Sequence, residues 1–177
     1  MIKDVIPANS PALRKQSKRV KKVDKKILAL IDDLKDTLSA QKKPEGIGLA
    51  APQIGKNLQV FVMRCKDKLK VVINPKVLKV SEKTIKSKDK KGKKIMEGCL
   101  SIPNYYGYIS RPSKVKLKYL DLDGKYKVED FSRLPAQIIQ HEVDHLKGVL
   151  FIDHLLKQKR RLYEHVDGEW EEVDLII

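Results

Sequence analysis

His141 and His145 stand four residues apart, with Glu142 directly after the first, in the stretch QHEVDHLKG at residues 140–148. An α-helix turns about 100° per residue, so the two imidazoles fall about 40° apart around the axis and can share a metal ion. Glu142 flanks the same face, within reach of a water that such a metal activates. This spacing therefore points to metal-assisted hydrolysis. A catalytic metal of this kind takes three protein ligands and keeps a fourth position open. The third ligand must come from elsewhere.

One long peptidase pattern, H-E-x-x-H-x-x-G-x-x-H, has its glycine matched by Gly148 but carries Phe151 where the last histidine belongs. Glu164 is a formal acidic candidate, though it lies in EHVDGEWEEVD, which reads as a solvated face. Cys99, in EGCLSIP at residues 97–103, is the better candidate. It is either a buried structural cysteine or a thiolate that a divalent cation keeps deprotonated. The loop GIGLAAPQIG, residues 46–55, has two readings as well. Its glycines suit a tight turn. They also let backbone approach a ligand, and Gln53 adds an amide donor for a developing oxyanion.

These residues need a scaffold. Residues 133–147 are predicted to form a central helix, apolar on two faces, and Pro135 fits only if the helix starts there. Ile27, Leu30, Ile31, Leu34 and Leu38 line one face of a helix over 24–39, with Asp24 as a cap. A second late helix is expected over about 154–165. Strands are expected at 58–63, 70–80, 105–109 and 115–120, and in the tail EWEEVDLII. Asp123-Gly124 between alternating residues is a hairpin signal. The lysine-rich stretch 81–94 reads as a basic, exposed excursion. The result is an α+β fold of mostly antiparallel sheet.

At 177 residues, the chain suits one domain with a real core. No apolar run approaches a membrane span, and the N-terminus lacks the pattern of a secretory leader. Cys65 and Cys99 need not pair. The net charge of +15 has two readings. It is either a solvated lysine-rich surface or an attraction to a polyanion such as ribosomal RNA. No aromatics interleave with the lysines, and no module for sequence-specific nucleic-acid binding is present.

GIGLAAPQ, EGCLS and HEVDH, in that order and rough spacing, resemble the three motifs of the peptide deformylase family, as do FIDHL and PALRKQSKRV around them. The resemblance implies that fold: mostly antiparallel sheets around a central HExxH helix, with N-terminal and C-terminal helices, in one catalytic domain over 1–177. It implies hydrolytic removal of the formyl group from N-formylmethionyl nascent peptides, releasing formate. Cys99, His141 and His145 would hold one divalent metal, Fe2+ in the cell, with Zn2+, Ni2+ or Co2+ in purified protein. Glu142 would be the acid/base, and the Gln53 amide and Leu100 backbone N–H would hold the oxyanion. Backbone of Ile47 and Gly48 would pair with the substrate, whose methionine would enter a pocket of Ile47, Ile95, Leu134 and Ile138. Glu97 and Arg111 stand where the family has an ion pair. The expected protein is a cytoplasmic, bacterial-type monomer. From the charge, its basic C-terminal helix, with Lys157, Lys159, Arg160 and Arg161, would touch the ribosome near the exit tunnel. An HExxH peptidase with an acidic third ligand is the competing enzyme, and a basic RNA-binding module with a structural metal is the non-enzyme alternative. A structural site needs four protein ligands, and the sequence offers three.

Overall fold

In the computed structural model, which describes residues 1–42, 45–66, 68–84 and 96–174, three helices pack with two antiparallel sheets. Strand β2 (Val60–Cys65) shows how the first sheet is built. Val60 and Val62 point into a core beneath helix α1 (Lys25–Ala40), while Phe61 and Met63 point into a second core beneath helix α2 (Leu134–Leu146). Side chains alternate across a strand. A strand covered on both faces therefore reads as a continuous apolar run. The sheet has the order β1 (Gly48–Ala50), β2, β3 (Lys68–Val80), β6 (Lys114–Leu120), β7 (Tyr126–Ser132). A second sheet has the order β4 (Glu97–Cys99), β5 (Ile102–Gly107), β8 (Leu162–Val166), β9 (Glu169–Val173).

The expected end signals operate. The Asp24 carboxylate accepts from the N–H groups of Lys26 and Ile27 at 3.0 Å, capping α1. Pro135 lies in the first turn of α2, where no intrahelical N–H is needed. Asp121 accepts from Asp123 and Lys125 across the β6–β7 turn. Cys65 and Cys99 are both free.

One element differs from expectation. The helix predicted over about 154–165 is shorter and earlier: α3 spans Phe151–Lys157. Phe151 and Leu155, one turn apart, are fully buried and anchor it, and Asp153 accepts from the Leu150 N–H at 2.8 Å. The following KQKRR is rich in helix formers but offers no apolar residue for a helical face. Lys159 turns to φ +52°, and Leu162–Val166 pairs with β5 instead. Of the basic excursion, residues 85–94 lie outside the described residues.

The first 22 residues hold one short 3-10 turn, Pro11–Arg14, yet they are tied down by hydrogen bonds. Buried Asn74 holds them to β3: its Oδ1 accepts from the Val20 N–H and its Nδ2 donates to the Val20 carbonyl, both at 2.8 Å. Asn74 sits at φ +51°, a conformation asparagine tolerates better than most residues. Asn74→Ala strands two buried backbone groups, each costing about 1–3 kcal/mol. Urea unfolding is expected to show a loss of about 2–4 kcal/mol, and a midpoint unchanged from the parent would contradict this account.

Candidate metal centre

The three motifs meet between the two sheets. α2 turns Ala136, Ile139, Val143 and Leu146 to the large sheet and presents His141, Glu142 and His145 on the side facing β4 and β1. Cys99, at the end of β4, completes a buried cluster whose sulfur and imidazole nitrogens lie within 4.8 Å of one another. The Cys99 sulfur is 3.2 Å from His145 Nε2. Ligands held at about 2.0–2.3 Å around a tetrahedral ion sit roughly 3.5 Å apart, so the cluster has the right dimensions. Glu164, the acidic alternative, lies on β8 opposite Tyr105 and is not in the cluster.

The charges around the cluster favour a cation. His145 is held well below its ordinary pKa by burial and by neighbouring His141, so it offers a neutral ring. Burial opposes a charge on His141 too, but bonds to Cys99 and Glu97 outweigh it and hold the ring well above its usual value. Glu97 accepts from His141 Nδ1 at 2.7 Å, leaving Nε2 for the cluster. A divalent ion would supply the positive charge that this cysteine and carboxylate favour. The residues present therefore fit a metal.

Glu97 is itself almost fully buried and takes four hydrogen bonds. Arg111 donates two, from Nε at 2.7 Å and Nη2 at 2.6 Å, and Gln137 donates a third at 3.2 Å. Burial alone would raise the Glu97 pKa, but the Arg111 charge and bonds, with His141, hold it well below the carboxylate range. The predicted Glu97–Arg111 pair is thus formed, and it extends further. Arg111 also donates to Asp144 at 2.8 Å, and Asp144 contacts His154 Nε2 at 2.8 Å. Gln137, Asp144 and His154 were missed in the sequence. Gln137, His141 and Asp144 follow an i, i+4, i+7 pattern, a polar stripe on a helix otherwise buried, and that was the available signal.

Glu142 is buried, and its Oε2 has no hydrogen-bond partner. Burial pushes its pKa up to about 7. It lines a cavity of about 150 Å³ together with Ile47, Gly48, Leu134 and Ile138. A methyl group on Gly48 would overlap the Glu142 carboxylate and lie 3.0 Å from Ile138, so only glycine fits there. Ile95, the remaining predicted wall, lies outside the described residues. Gln53 Nε2 donates to Ser101 at 3.2 Å and lies 3.5 Å from the Cys99 sulfur, while its Oε1 accepts from the Ala50 N–H at 2.9 Å. The Gly-rich loop is thus both things at once, a 3-10 turn over Ala51–Ile54 and a lining of the site.

The expectation for Ile47 needs correction. Its carbonyl is already taken by the Arg64 N–H at 2.8 Å. Alternate residues of an antiparallel strand bond to the same neighbour, so Gly48, between Ile47 and Leu49, turns its backbone groups away from β2. β1 is the sheet's edge, and the free backbone face is that of Gly48, while Ile47 contributes a half-exposed side chain.

The sequence model described as polypeptide deformylase matches residues 2–161. A peptide deformylase of Phenylobacterium zucineum is 42% identical over 164 residues, covering 90% of each chain. One from Pseudothermotoga lettingae is 42% identical over 162 residues, covering 91% of this chain and 86% of its own. Among solved structures, the peptide deformylase of Thermotoga maritima superposes with a TM-score of 0.77 at 34% identity, covering 87% of this chain and 97% of its own. That of Synechococcus elongatus, in complex with actinonin, gives 0.75 at 36%, covering 85% and 77%.

Removing Arg111 would leave Glu97 buried with its charge unmatched. Arg111→Ala is expected to cost about 3–5 kcal/mol in chemical unfolding. A loss below 1 kcal/mol would show that solvent reaches the pair.

Proposed function

The chain belongs to the polypeptide deformylase family, metallohydrolases that remove the formyl group from N-formylmethionyl peptides, and on that premise we propose the part each residue plays. Cys99, His141 and His145 hold one divalent ion, Fe2+ in the cell and Zn2+, Ni2+ or Co2+ in purified preparations. Bound there, the ion supplies Lewis acidity to a water molecule and to the formyl oxygen. Glu142 accepts the proton of that water as it adds to the formyl carbon, then hands it to the departing amine. Gln53 Nε2 and the Leu100 N–H donate to the oxygen that becomes negative. Products are formate and a peptide with a free amino terminus.

The observation that carries this reading is the unpartnered Glu142 oxygen, buried beside a Cys-His-His cluster and facing a cavity. A carboxylate without a donor is costly to bury, so its retention there suits a group that waits for a water proton. Gly48 supports the rest. Its backbone, on the open edge of β1, offers the strand-like pairing that would hold a peptide. Ile47, Leu134 and Ile138 make an apolar wall for the methionine side chain, and Ile95 is proposed as a fourth wall from its offset to the motifs. Glu97 and Arg111 orient His141. Residues 1–177 serve as one catalytic domain, acting as a monomer in the cytoplasm.

We propose also that the exposed cations Lys157, Lys159, Arg160 and Arg161, at the end of α3 and before β8, attract the protein to ribosomal RNA near the emerging substrate. The charge of +15 supports this, and no helix among the described residues is long and apolar enough to cross a membrane. Cosedimentation with ribosomes is expected to fall steeply between about 50 and 200 mM salt. Binding indifferent to salt would remove the electrostatic reading.

Glu142→Ala is expected to lower kcat on formyl-Met-Ala by about 10²–10⁴-fold while metal content stays at one ion per chain. Cys99→Ser is expected to reduce metal content as well as turnover. Full turnover in either variant would defeat the assignment.

A further inference from the structure

The large sheet's outer face, opposite α2, is covered at one end and bare at the other. Ile73 of β3 and Leu120 of β6, directly opposite each other, pack on the core beneath α1. Beyond them on the same face come Lys118, Lys116 and Lys114 of β6, because the alternate residues Tyr119, Leu117 and Val115 are buried beneath α2. Register adds Lys76 and Lys79 of β3. All are exposed except half-buried Lys118. Two strands distant in the sequence thus build a basic face that neither shows alone.

The arrangement opposes the fold. Lys76 stands directly opposite Lys118, and Lys79 directly opposite Lys116. Facing side chains on neighbouring strands lie about 5 Å apart, and like charges so placed destabilise a sheet. On the same face the next strand, β7, presents Tyr126, Val128, Asp130 and Ser132, of which Asp130 lies 3.7 Å from Lys116. Two further exposed cations, Lys21 and Lys22, border the face, since Val20 is bonded to Asn74 of β3 and Val23 lies against the turn at Gly124. A surface that repels itself is completed by a partner with closely spaced negative charges.

We propose that this face docks the phosphate backbone of duplex RNA, by charge and without reading sequence. Lysine contacts to phosphates position a protein but carry no base information. A single strand would need open rings on which its bases stack, whereas the Tyr126 ring already lies under Lys118 Nζ at 4.5 Å. A bilayer surface would need an apolar stripe set apart from the cations, whereas Val128 stands directly beside Lys118. The face is separate from the cations that follow α3. β7 and β1 are opposite edges of the sheet, so a docked duplex leaves the Gly48 edge and the cavity beside it open. RNA is chosen over DNA because the proposed substrate is a nascent peptide, and in this the partner's identity rests on the deformylase reading.

The test is binding of the full-length, metal-loaded protein to a labelled RNA duplex of about 20 base pairs, followed by fluorescence anisotropy over about 50 to 200 mM salt. Lys76→Gln, Lys79→Gln, Lys116→Gln and Lys118→Gln together are expected to lower affinity more than about tenfold at the lower salt. They should also reduce the slope of log affinity against log salt by about 3. Arg at the same four positions should keep both. The Gln variant should unfold in urea no earlier than the parent, having lost two repulsions, and should turn over formyl-Met-Ala normally. Full RNA binding by the Gln variant would overturn the proposal, as would tighter binding to a single strand of the same length or to phosphatidylserine-rich vesicles. Parent dimers that the Gln variant cannot form would assign the face instead to the acidic residues 162–174 of a second copy, which hold six carboxylates and no lysine or arginine. Inactivity of the parent on formyl-Met-Ala would strike the deformylase reading, a result distinct from loss of RNA binding.

Discussion

A carboxylate withdrawn from water needs its lone pairs met by donors of suitable charge, and Glu97 finds four of them on two other parts of the chain. Arg111 comes from the segment before β6, and Gln137 and His141 come from α2. Glu97 itself stands two residues before Cys99 on β4. One buried anion therefore ties the Cys99 sulfur on one sheet to the imidazoles on the helix packed against the other. It also sets the His141 tautomer, since Nδ1–H must face the carboxylate for Nε2 to face the cluster. The large sheet, α1 and the two apolar cores make α2 rigid, but the Glu97 bonds place the second sheet relative to it.

The pair is also electrostatically balanced beyond its own two charges. Asp144 takes the remaining Arg111 nitrogen, and its own pKa stays low because the bond to His154 and the Arg111 charge outweigh burial. Two carboxylates and one guanidinium leave a net negative region behind His141. On the proposed function, that region would favour a cation held by His141 Nε2 while its Nδ1 is bonded to Glu97.

Legibility in the sequence followed the range of the interactions. His141, Glu142 and His145 were readable because helical geometry converts spacing into proximity within a single element. The Asp24 cap and the Asp123-Gly124 turn were readable for the same reason: cause and effect lie within four residues. Cys99 needed the resemblance, because nothing local tells a buried thiol from a ligand. The α3–β8 boundary was misread because KQKRR has helical propensity, while the partner that draws Leu162–Val166 into a sheet is β5, over fifty residues earlier. The N-terminal segment was unreadable as structure, since it has almost no repeating pattern. Nevertheless it bonds to two motifs and directly beside the third: Ile6 N–H to the Gln53 carbonyl at 2.8 Å, Ala8 N–H to the Ser101 carbonyl at 3.0 Å, and Ser17 N–H to the Leu146 carbonyl at 2.8 Å. Gly148, at φ +75°, lets the turn after α2 lie directly on the Arg14 backbone.

The missing side chain at Gly48 makes the open edge of β1 touch the Glu142 carboxylate with nothing between them. On the proposed function, a peptide registered on that edge would lie within direct reach of the Glu142 carboxylate. With no side chain between them, the distance from that backbone edge to the carboxylate is set by the direct packing of β1 on α2, and any side chain added at Gly48 would push the two apart.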